Sequence, residues 1–237
     1  MNILITGASS GIGKQLALDY VAQGHQVWGQ GRNAPRLQAL AEQGIKPLQV
    51  ELSELNQVRE AFADLADLDL IVLAAGDCEY LDPQAFDAEL FARVWQNNVQ
   101  SMANCIDALW PNLKPHSQLA LVGSLAHLLP FSQAGAYGSS KAAVDYLALA
   151  LGTDLKAKQV SVHCIQPGFV KTPLTDKNNF AMPNLISPQQ ASRYIRRGLV
   201  KGKARINFPG VFSGILHALS CLPARWQQAL CQRLANK

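Results

Sequence analysis

The first thirteen residues constrain the fold of this chain more than any other segment. An apolar, isoleucine-rich run at residues 2–6, "NILIT", leads into the glycine and serine cluster "GASSGIG" and then into helical spacing that Gly24 ends. This order predicts a strand, a glycine turn and a helix. Gly7 is suited to a positive φ, Gly11 to a close approach of the backbone to a ligand, and Gly13 to close packing of the helix on the strand.

The alternation of strands and helices continues along the chain. Further strands are predicted at "HQVWGQG", "KPLQVEL", "LDLIVLAAG", "SQLALVGS" and "VSVHCIQPG", with helices over residues 34–43, 54–66, 84–113 and 136–157. Strands that alternate with helices form a parallel sheet, and their crossovers are right-handed. We therefore expect an α/β fold with a single doubly wound, Rossmann-type parallel sheet and helices on both faces.

Composition and charge exclude several classes of function. The net charge of +4 is too small and too dispersed for a nucleic-acid-binding surface. The five cysteines are widely spaced and include no C-x-x-C pair, so they indicate neither a disulfide framework nor a metal site. The N-terminus lacks the basic region of a signal peptide. We expect a cytoplasmic protein with one domain over residues 1–237 that binds no metal and no nucleic acid.

A second pattern lies in residues 133–146, "QAGAYGSSKAAVDY", where Tyr137 precedes Lys141 by four positions. Residues four apart on a helix share one face, so the ammonium group is expected beside the phenol. The ordinary pKa of a tyrosine is about 10, and a neighbouring cation lowers it by stabilising the phenolate. Ser124 ends the predicted fifth strand, at the sheet edge where ligands bind. Taken singly, these residues are also typical of an amphipathic helix face and a turn serine.

The glycine turn resembles that of the short-chain dehydrogenase/reductase family in its classical branch, which reads TGxxxGxG. The match is residue for residue at Thr6, Gly7, Gly11 and Gly13. In that family the turn holds the diphosphate of a nicotinamide cofactor. The resemblance implies further contacts at Ser9, Ser10 and Ile12.

The resemblance also assigns catalytic roles. Ser124, Tyr137 and Lys141 match the family's Ser–Tyr–Lys arrangement. This implies that Tyr137 exchanges the proton, that Lys141 lowers its pKa and holds the nicotinamide ribose, and that Ser124 orients the carbonyl. The family's fourth member, an asparagine that helps to position a proton-relay water, is matched by Asn98 in "WQNNVQSM". The choice of Asn98 over its neighbour Asn97 depends on the valine that follows it.

The residues after the second strand bear on the choice of cofactor. Between Val21 and Ala41 there is no aspartate or glutamate to accept hydrogen bonds from the ribose hydroxyls of NAD. Gly31 stands where NAD-preferring members of the family carry aspartate, and the guanidinium of Arg32 suits a 2′-phosphate. We expect NADP(H) to be preferred over NAD(H), with Arg32 and Asn33 as contacts. The alternative for Arg32 is a solvated surface residue.

Three further segments extend the resemblance. Glu51 and Leu52 in "VELSEL" stand in place of the family's adenine-contacting Asp-Val pair. In "VLAAG", Ala75 and Gly76 match the family's NNAG, whereas Leu73 replaces the asparagine that links neighbouring strands. "PGFVKT" resembles the PGxVxT segment, which contacts the nicotinamide carboxamide. This implies contacts at Pro167, Gly168, Val170 and Thr172.

The resemblance covers residues 1–176 as a cofactor-binding and catalytic core and leaves residues 177–237 as a substrate loop and a basic, amphipathic C-terminal tail. Residues 191–237 carry nine lysines and arginines and no acidic residue, so the rest of the chain is net acidic. Pro209 and Pro223 interrupt this segment, so it contains no convincing uninterrupted apolar run for a membrane span. We favour a cap over the substrate cleft or a subunit interface over a peripheral membrane contact.

The sequence therefore predicts an NADP(H)-dependent oxidoreductase that transfers a hydride between the nicotinamide and a small carbonyl or alcohol substrate, with tyrosine as general acid/base. The alternative is a non-catalytic NADP(H)-binding sensor or regulatory protein on the same fold. Ser124 argues against it, because a pure binder has no need for this hydroxyl. By resemblance alone we expect a homo-oligomer, either a dimer or a tetramer. The residues after Ser124 and residues 175–190 are expected to line a pocket for a carbonyl with apolar parts.

Overall fold

Seven parallel strands form one sheet within residues 1–178 and 180–235, the part of the chain that the computed structural model describes. Their order across the sheet is β3-β2-β1-β4-β5-β6-β7. Three residues of the predicted substrate loop and tail, Asn179, Asn236 and Lys237, lie outside the described residues. The strands are β1 (Asn2–Thr6), β2 (Gln26–Gly31), β3 (Lys46–Gln49), β4 (Leu70–Leu73), β5 (Gln118–Val122), β6 (Ser161–Pro167) and β7 (Arg205–Phe208).

Helices cover both faces of this sheet, as the sequence predicts for a doubly wound fold. The strand order reverses direction between β1 and β4, so the carboxyl ends of these two strands flank a crevice. The helices are α1 (Gly11–Val21), α2 (Ala34–Ala41), α3 (Leu55–Phe62), α4 (Ala88–Trp95), α5 (Ser101–Leu109), α6 (Gly135–Asp154), α7 (Pro188–Val200), α8 (Gly210–Ser220) and α9 (Ala224–Ala235).

Two apolar cores follow from the period-two alternation of strand side chains. In β1, Ile3 and Ile5 belong to the core under α1 and α7, whereas Leu4 belongs to the core under α3, α5 and α6. All three side chains are fully buried. This two-sided burial explains why the central strands read as continuous apolar runs.

The structure corrects two sequence predictions. The predicted helix over residues 84–113 begins only at Ala88, because the Asp87 carboxylate accepts a hydrogen bond from the backbone N–H of Leu90 and caps α4. It is then interrupted by a π-helical turn at Gln96–Gln100. The sequence also missed β7, a four-residue edge strand that pairs with β6. None of the described helices is both long enough and apolar enough to cross a membrane.

Candidate active site

The glycine turn after β1 has the backbone geometry that the sequence predicts. Gly7 and Gly11 have positive φ values of 65° and 55°. A Cβ atom on Gly13 would lie 2.5 Å from the carbonyl oxygen of Gly7, so only glycine fits there. Ser10 gives α1 no side-chain cap, and the first turn of α1 contains no acidic residue. The N–H groups at the start of α1 are therefore well placed for an anion.

Two polar side chains hold this turn in place: Thr6, which the sequence analysis named only as part of the motif, and Gln30, which it missed. The hydroxyl oxygen of Thr6 accepts hydrogen bonds from the backbone N–H groups of Ala74 and Ala75, at 3.0 and 3.1 Å. It thus links β1 to the end of β4, where Leu73 replaces the family's asparagine. The buried side chain of Gln30 accepts from the Gly7 N–H at 3.1 Å and donates to a carbonyl beyond β3 at 2.7 Å. The available sequence signal was a glutamine near the end of a predicted strand.

Gly31 and Arg32 lie at the far end of the site. A Cβ atom on Gly31 would lie 3.0 Å from the Cβ of Ser9, which leaves little room for the carboxylate side chain of an NAD-preferring site. The guanidinium of Arg32 lies 3.4 Å from the carboxylate of Glu51, and its side chain is 65% exposed. An exposed pair of this kind contributes little to stability, so the guanidinium is free to change partner.

Asn33 and Asn98 are the predicted site residues that do not line the cavity; all the others do. The side-chain oxygen of Asn33 accepts from the Arg36 N–H at 2.9 Å and caps α2. The cavity lies at the carboxyl ends of the central strands and brings the glycine turn, the catalytic candidates and the "PGFVKT" segment together.

Ser124, Tyr137 and Lys141 face one another in this cavity. Ser124 lies just beyond β5, and its hydroxyl oxygen accepts a hydrogen bond from the backbone N–H of Ala126 at 3.1 Å. Tyr137 and Lys141 lie one turn apart in α6. The Lys141 ammonium is buried, lies 5.7 Å from the centre of the Tyr137 ring and donates to the carbonyl of Val122 at 3.0 Å.

Burial, rather than Lys141, dominates the electrostatics of Tyr137. Burial raises the pKa of Tyr137, the nearby ionisable thiol of Cys78 raises it further, and a hydrogen bond with Ser124 partly opposes both effects. Burial also lowers the pKa of Lys141 to about 8. The depth of burial that raises the pKa of Tyr137 is not visible in the i, i+4 spacing. That Lys141 lowers this pKa stays a prediction.

Asn98 acts on the backbone. Its side-chain amide accepts from the Asp77 N–H at 2.8 Å, donates to the Asp77 carbonyl at 2.9 Å and donates to the Ser140 hydroxyl at 3.0 Å. Asn98 is fully buried and lies in the π-helical turn between α4 and α5. It therefore ties the loop after β4 to α6, whereas its neighbour Asn97 lines the cavity. Irregular turns of this kind are frequent at functional sites.

The C-terminal tail covers one side of the site. Leu216 in α8 and Cys231 in α9 pack against Leu125 and Leu129, which follow Ser124. Phe212 in α8 lies over the cavity-lining Gly168: a Cβ atom on this glycine would lie 3.1 Å from the ring. The choice between a cap over the cleft, a subunit interface and a membrane contact for the tail stays a prediction.

Comparison with known proteins identifies the family. The family model described as short chain dehydrogenase matches residues 1–182, so the chain belongs to the short-chain dehydrogenase/reductase family. An uncharacterized oxidoreductase of Myxococcus xanthus is 32% identical over 98% of this chain and 96% of its own length. An NADP-dependent 3-hydroxy acid dehydrogenase of Salmonella typhi is 32% identical over 72% of this chain and 73% of its own length.

Solved structures agree on the fold. A short-chain dehydrogenase from Streptomyces avermitilis superimposes with a TM-score of 0.83 over 99% of this chain and 97% of its own, at 20% sequence identity. At this identity the likeness supports the fold alone. The matched family and its relatives are oxidoreductases, which agrees with the oxidoreductase that the sequence predicts.

Proposed function

We propose that this protein is an NADP(H)-dependent oxidoreductase that interconverts a carbonyl and an alcohol, with Tyr137 as general acid/base. The observation that carries the proposal is the convergence of Ser124, Tyr137 and Lys141 on the cavity that also contains the glycine turn. Neither the turn nor the three polar side chains would by themselves define an oxidoreductase. Their common cavity supports a dinucleotide site and a proton donor within reach of the same small molecule.

The cavity fits a nicotinamide dinucleotide at its glycine end. The uncapped start of α1 offers N–H donors to a diphosphate, and Gly7, Gly11 and Gly13 keep side chains out of its path. Gly31 and Arg32 support a preference for NADP(H), because a guanidinium pairs with a 2′-phosphate and no carboxylate competes at residue 31. The NADP dependence in the name of the Salmonella typhi relative points the same way.

The residues of the chain have distinct tasks in this mechanism. When bound, the nicotinamide supplies or accepts the hydride. Ser124 donates a hydrogen bond that orients the carbonyl oxygen, and Tyr137, which is a phenol at neutral pH because its pKa is raised, donates the proton to the developing alkoxide. The Lys141 ammonium stabilises the phenolate that remains. Asn98 is a positioning residue that holds the loop after β4 against α6.

A substitution of Tyr137 tests the proposal. Tyr137→Phe removes the proton donor and keeps the ring, so we expect kcat for carbonyl reduction to fall about 1000-fold or more while the Kd for NADPH changes little. Tyr146→Phe is the matched control, because the same hydroxyl is lost from the same helix at a side chain that is 77% exposed. Full turnover in Tyr137→Phe would refute the general-acid role. Tight NADPH binding without turnover of any carbonyl by the wild type would favour the sensor alternative.

A further inference from the structure

Four aromatic side chains form a continuous row beside the catalytic tyrosine; we call it the aromatic wall. The rings of Tyr80 and Phe180 meet edge to face with centroids 5.6 Å apart. Phe180 lies 6.1 Å from Phe169, and Phe169 lies 6.0 Å from Phe212. These are distances at which aromatic pairs attract one another. The wall therefore joins the loop after β4, the segment between β6 and α7, and helix α8.

Both ends of the aromatic wall reach the candidate active site. At one end, Leu81, which directly follows Tyr80, packs in the same apolar cluster as Tyr137. Burial raises the pKa of Tyr80. At the other end, the Phe212 ring covers Gly168, which lines the cavity. The Tyr80 hydroxyl already donates to the side-chain oxygen of Asn178 at 3.1 Å. None of the four rings is among the described residues that line the cavity, so the wall is an apolar surface that borders the cavity at Gly168 and at the loop after β4.

The side of the site beyond Ser124 is apolar as well. Leu125 and Leu129 are buried there against α8 and α9, with Leu128 and Phe131 packed beside them. Phe180 remains 44% exposed, so part of the aromatic wall is open to a ligand. Burying such a ring removes apolar area from water and favours association.

Charge at this end of the cavity disfavours an anionic substrate. Among the described side chains that line the cavity, the charged ones at the catalytic end are Lys141 and Asp77. The Lys141 ammonium is engaged by the Val122 carbonyl and by its task beside Tyr137. Asp77 adds a carboxylate. A substrate carboxylate would find no further cation among these side chains, and burying an unpaired charge is costly.

We propose that the carbonyl substrate carries an aromatic or branched aliphatic group that packs on the aromatic wall, and that carbonyl compounds with a free carboxylate are poor substrates. This inference rests on the proposed carbonyl–alcohol activity and names its substrate class. It separates this chain from its relative that is named for 3-hydroxy acids. Phe212 lies beyond residues 1–182 that the family model matches.

Three methyl ketones that differ at one end test the substrate class. Acetoacetate carries a free carboxylate, methyl acetoacetate a small neutral ester, and benzyl acetoacetate a neutral ester with a ring. With NADPH, we expect kcat/KM to be about 10-fold higher for the benzyl than for the methyl ester, and about 100-fold higher than for acetoacetate. Calorimetric titration, in which no turnover occurs, should show that benzyl 3-hydroxybutyrate binds more tightly than 3-hydroxybutyrate.

Variants of the aromatic wall test whether its side chains cause the preference for the benzyl ester. Phe180→Ala and Phe212→Ala should each lower kcat/KM about 10-fold for the benzyl ester and less than about 3-fold for the methyl ester, with the Kd for NADPH unchanged. Phe212→Leu keeps apolar volume and should retain most of the activity, which guards against a mere folding defect. Trp226→Ala is the control, because this tryptophan is 58% exposed on α9 and lies outside the wall. It should behave as the wild type.

The outcomes separate this inference from the activity on which it rests. If acetoacetate is reduced as well as or better than the esters, the substrate class is wrong and the reductase activity stands. The same holds if the reactive diketone 2,3-butanedione is reduced but neither ester is. If none of the four compounds is reduced with NADPH, the proposed activity fails and the substrate class fails with it.

Discussion

The two ends of the cavity are built in different ways. The glycine end is shaped by the backbone: positive φ at Gly7 and Gly11, a contact at Gly13 that excludes any side chain, and an uncapped helix start. The proposed substrate end is bordered by the aromatic wall, whose side chains come from separate segments, among them Tyr80 and Phe212. Backbone geometry suits a ligand that is always the same, whereas side chains can be exchanged to fit a different substrate without moving the sheet.

The largest effect of a substitution, a loss of NADPH affinity, is expected at the glycine end of the cavity. In Gly13→Ala, the new Cβ would lie 2.5 Å from the Gly7 carbonyl, so the turn must shift and NADPH affinity should fall roughly 100-fold or more. Gly214→Ala is the matched control, since nothing lies within 4 Å of its added Cβ. It should bind NADPH normally. Titration by nucleotide fluorescence measures both, and wild-type affinity in a folded Gly13→Ala protein would contradict the described turn geometry.

A smaller loss of NADPH affinity is expected for a substitution of the exposed Arg32. Arg32→Ala removes the guanidinium proposed for the 2′-phosphate, so the Kd for NADPH should rise roughly 10- to 30-fold while that for NADH stays within about 2-fold. Arg59→Ala is the control, because it breaks an exposed ion pair of similar kind with Asp107. An equal loss of NADPH and NADH affinity in Arg32→Ala would show that the arginine does not read the 2′-phosphate.

The smallest effect is expected in the pH dependence. Burial lowers the pKa of Lys141 to about 8, so its ammonium is present below that pH and lost above it, while the raised pKa of Tyr137 keeps the phenol protonated. Carbonyl reduction at saturating NADPH should therefore slow about tenfold between pH 7 and pH 9. In Lys141→Arg the side chain stays charged over this pH range, so the decrease in rate should disappear. A rate that rises with pH over that range would contradict the assignment.

The sequence predicted the glycine end well because each of its motifs is contiguous. The strand, the turn and the helix start follow one another within residues 2–21, and each glycine has a local backbone reason. The predicted doubly wound sheet is likewise confirmed, since apolar strand patterns that alternate with helical patterns predict it directly. Even there, the links made by Thr6 and Gln30 were missed, because they join segments far apart in the chain.

The substrate end was less predictable for the same physical reason. The aromatic wall joins residues 80 and 212, and no periodicity connects positions so distant in sequence. The edge strand β7 is only four residues long and lies in a tail with no flanking pattern. The raised pKa of Tyr137 depends on how deeply α6 is buried, which spacing along one helix does not reveal. The roles of Ser124, Tyr137 and Lys141 stay predictions until variants are measured.

The most direct measurement follows a labelled hydride from the cofactor to the substrate. Wild-type protein and Tyr137→Phe are incubated with benzyl acetoacetate and NADPH that carries deuterium on both C4 positions, and the product is analysed by mass spectrometry. We predict benzyl 3-hydroxybutyrate with one deuterium on the carbinol carbon from the wild type, and about 1000-fold less from the variant. An unlabelled alcohol, no alcohol at all, or equal yields from both proteins would contradict the proposed function.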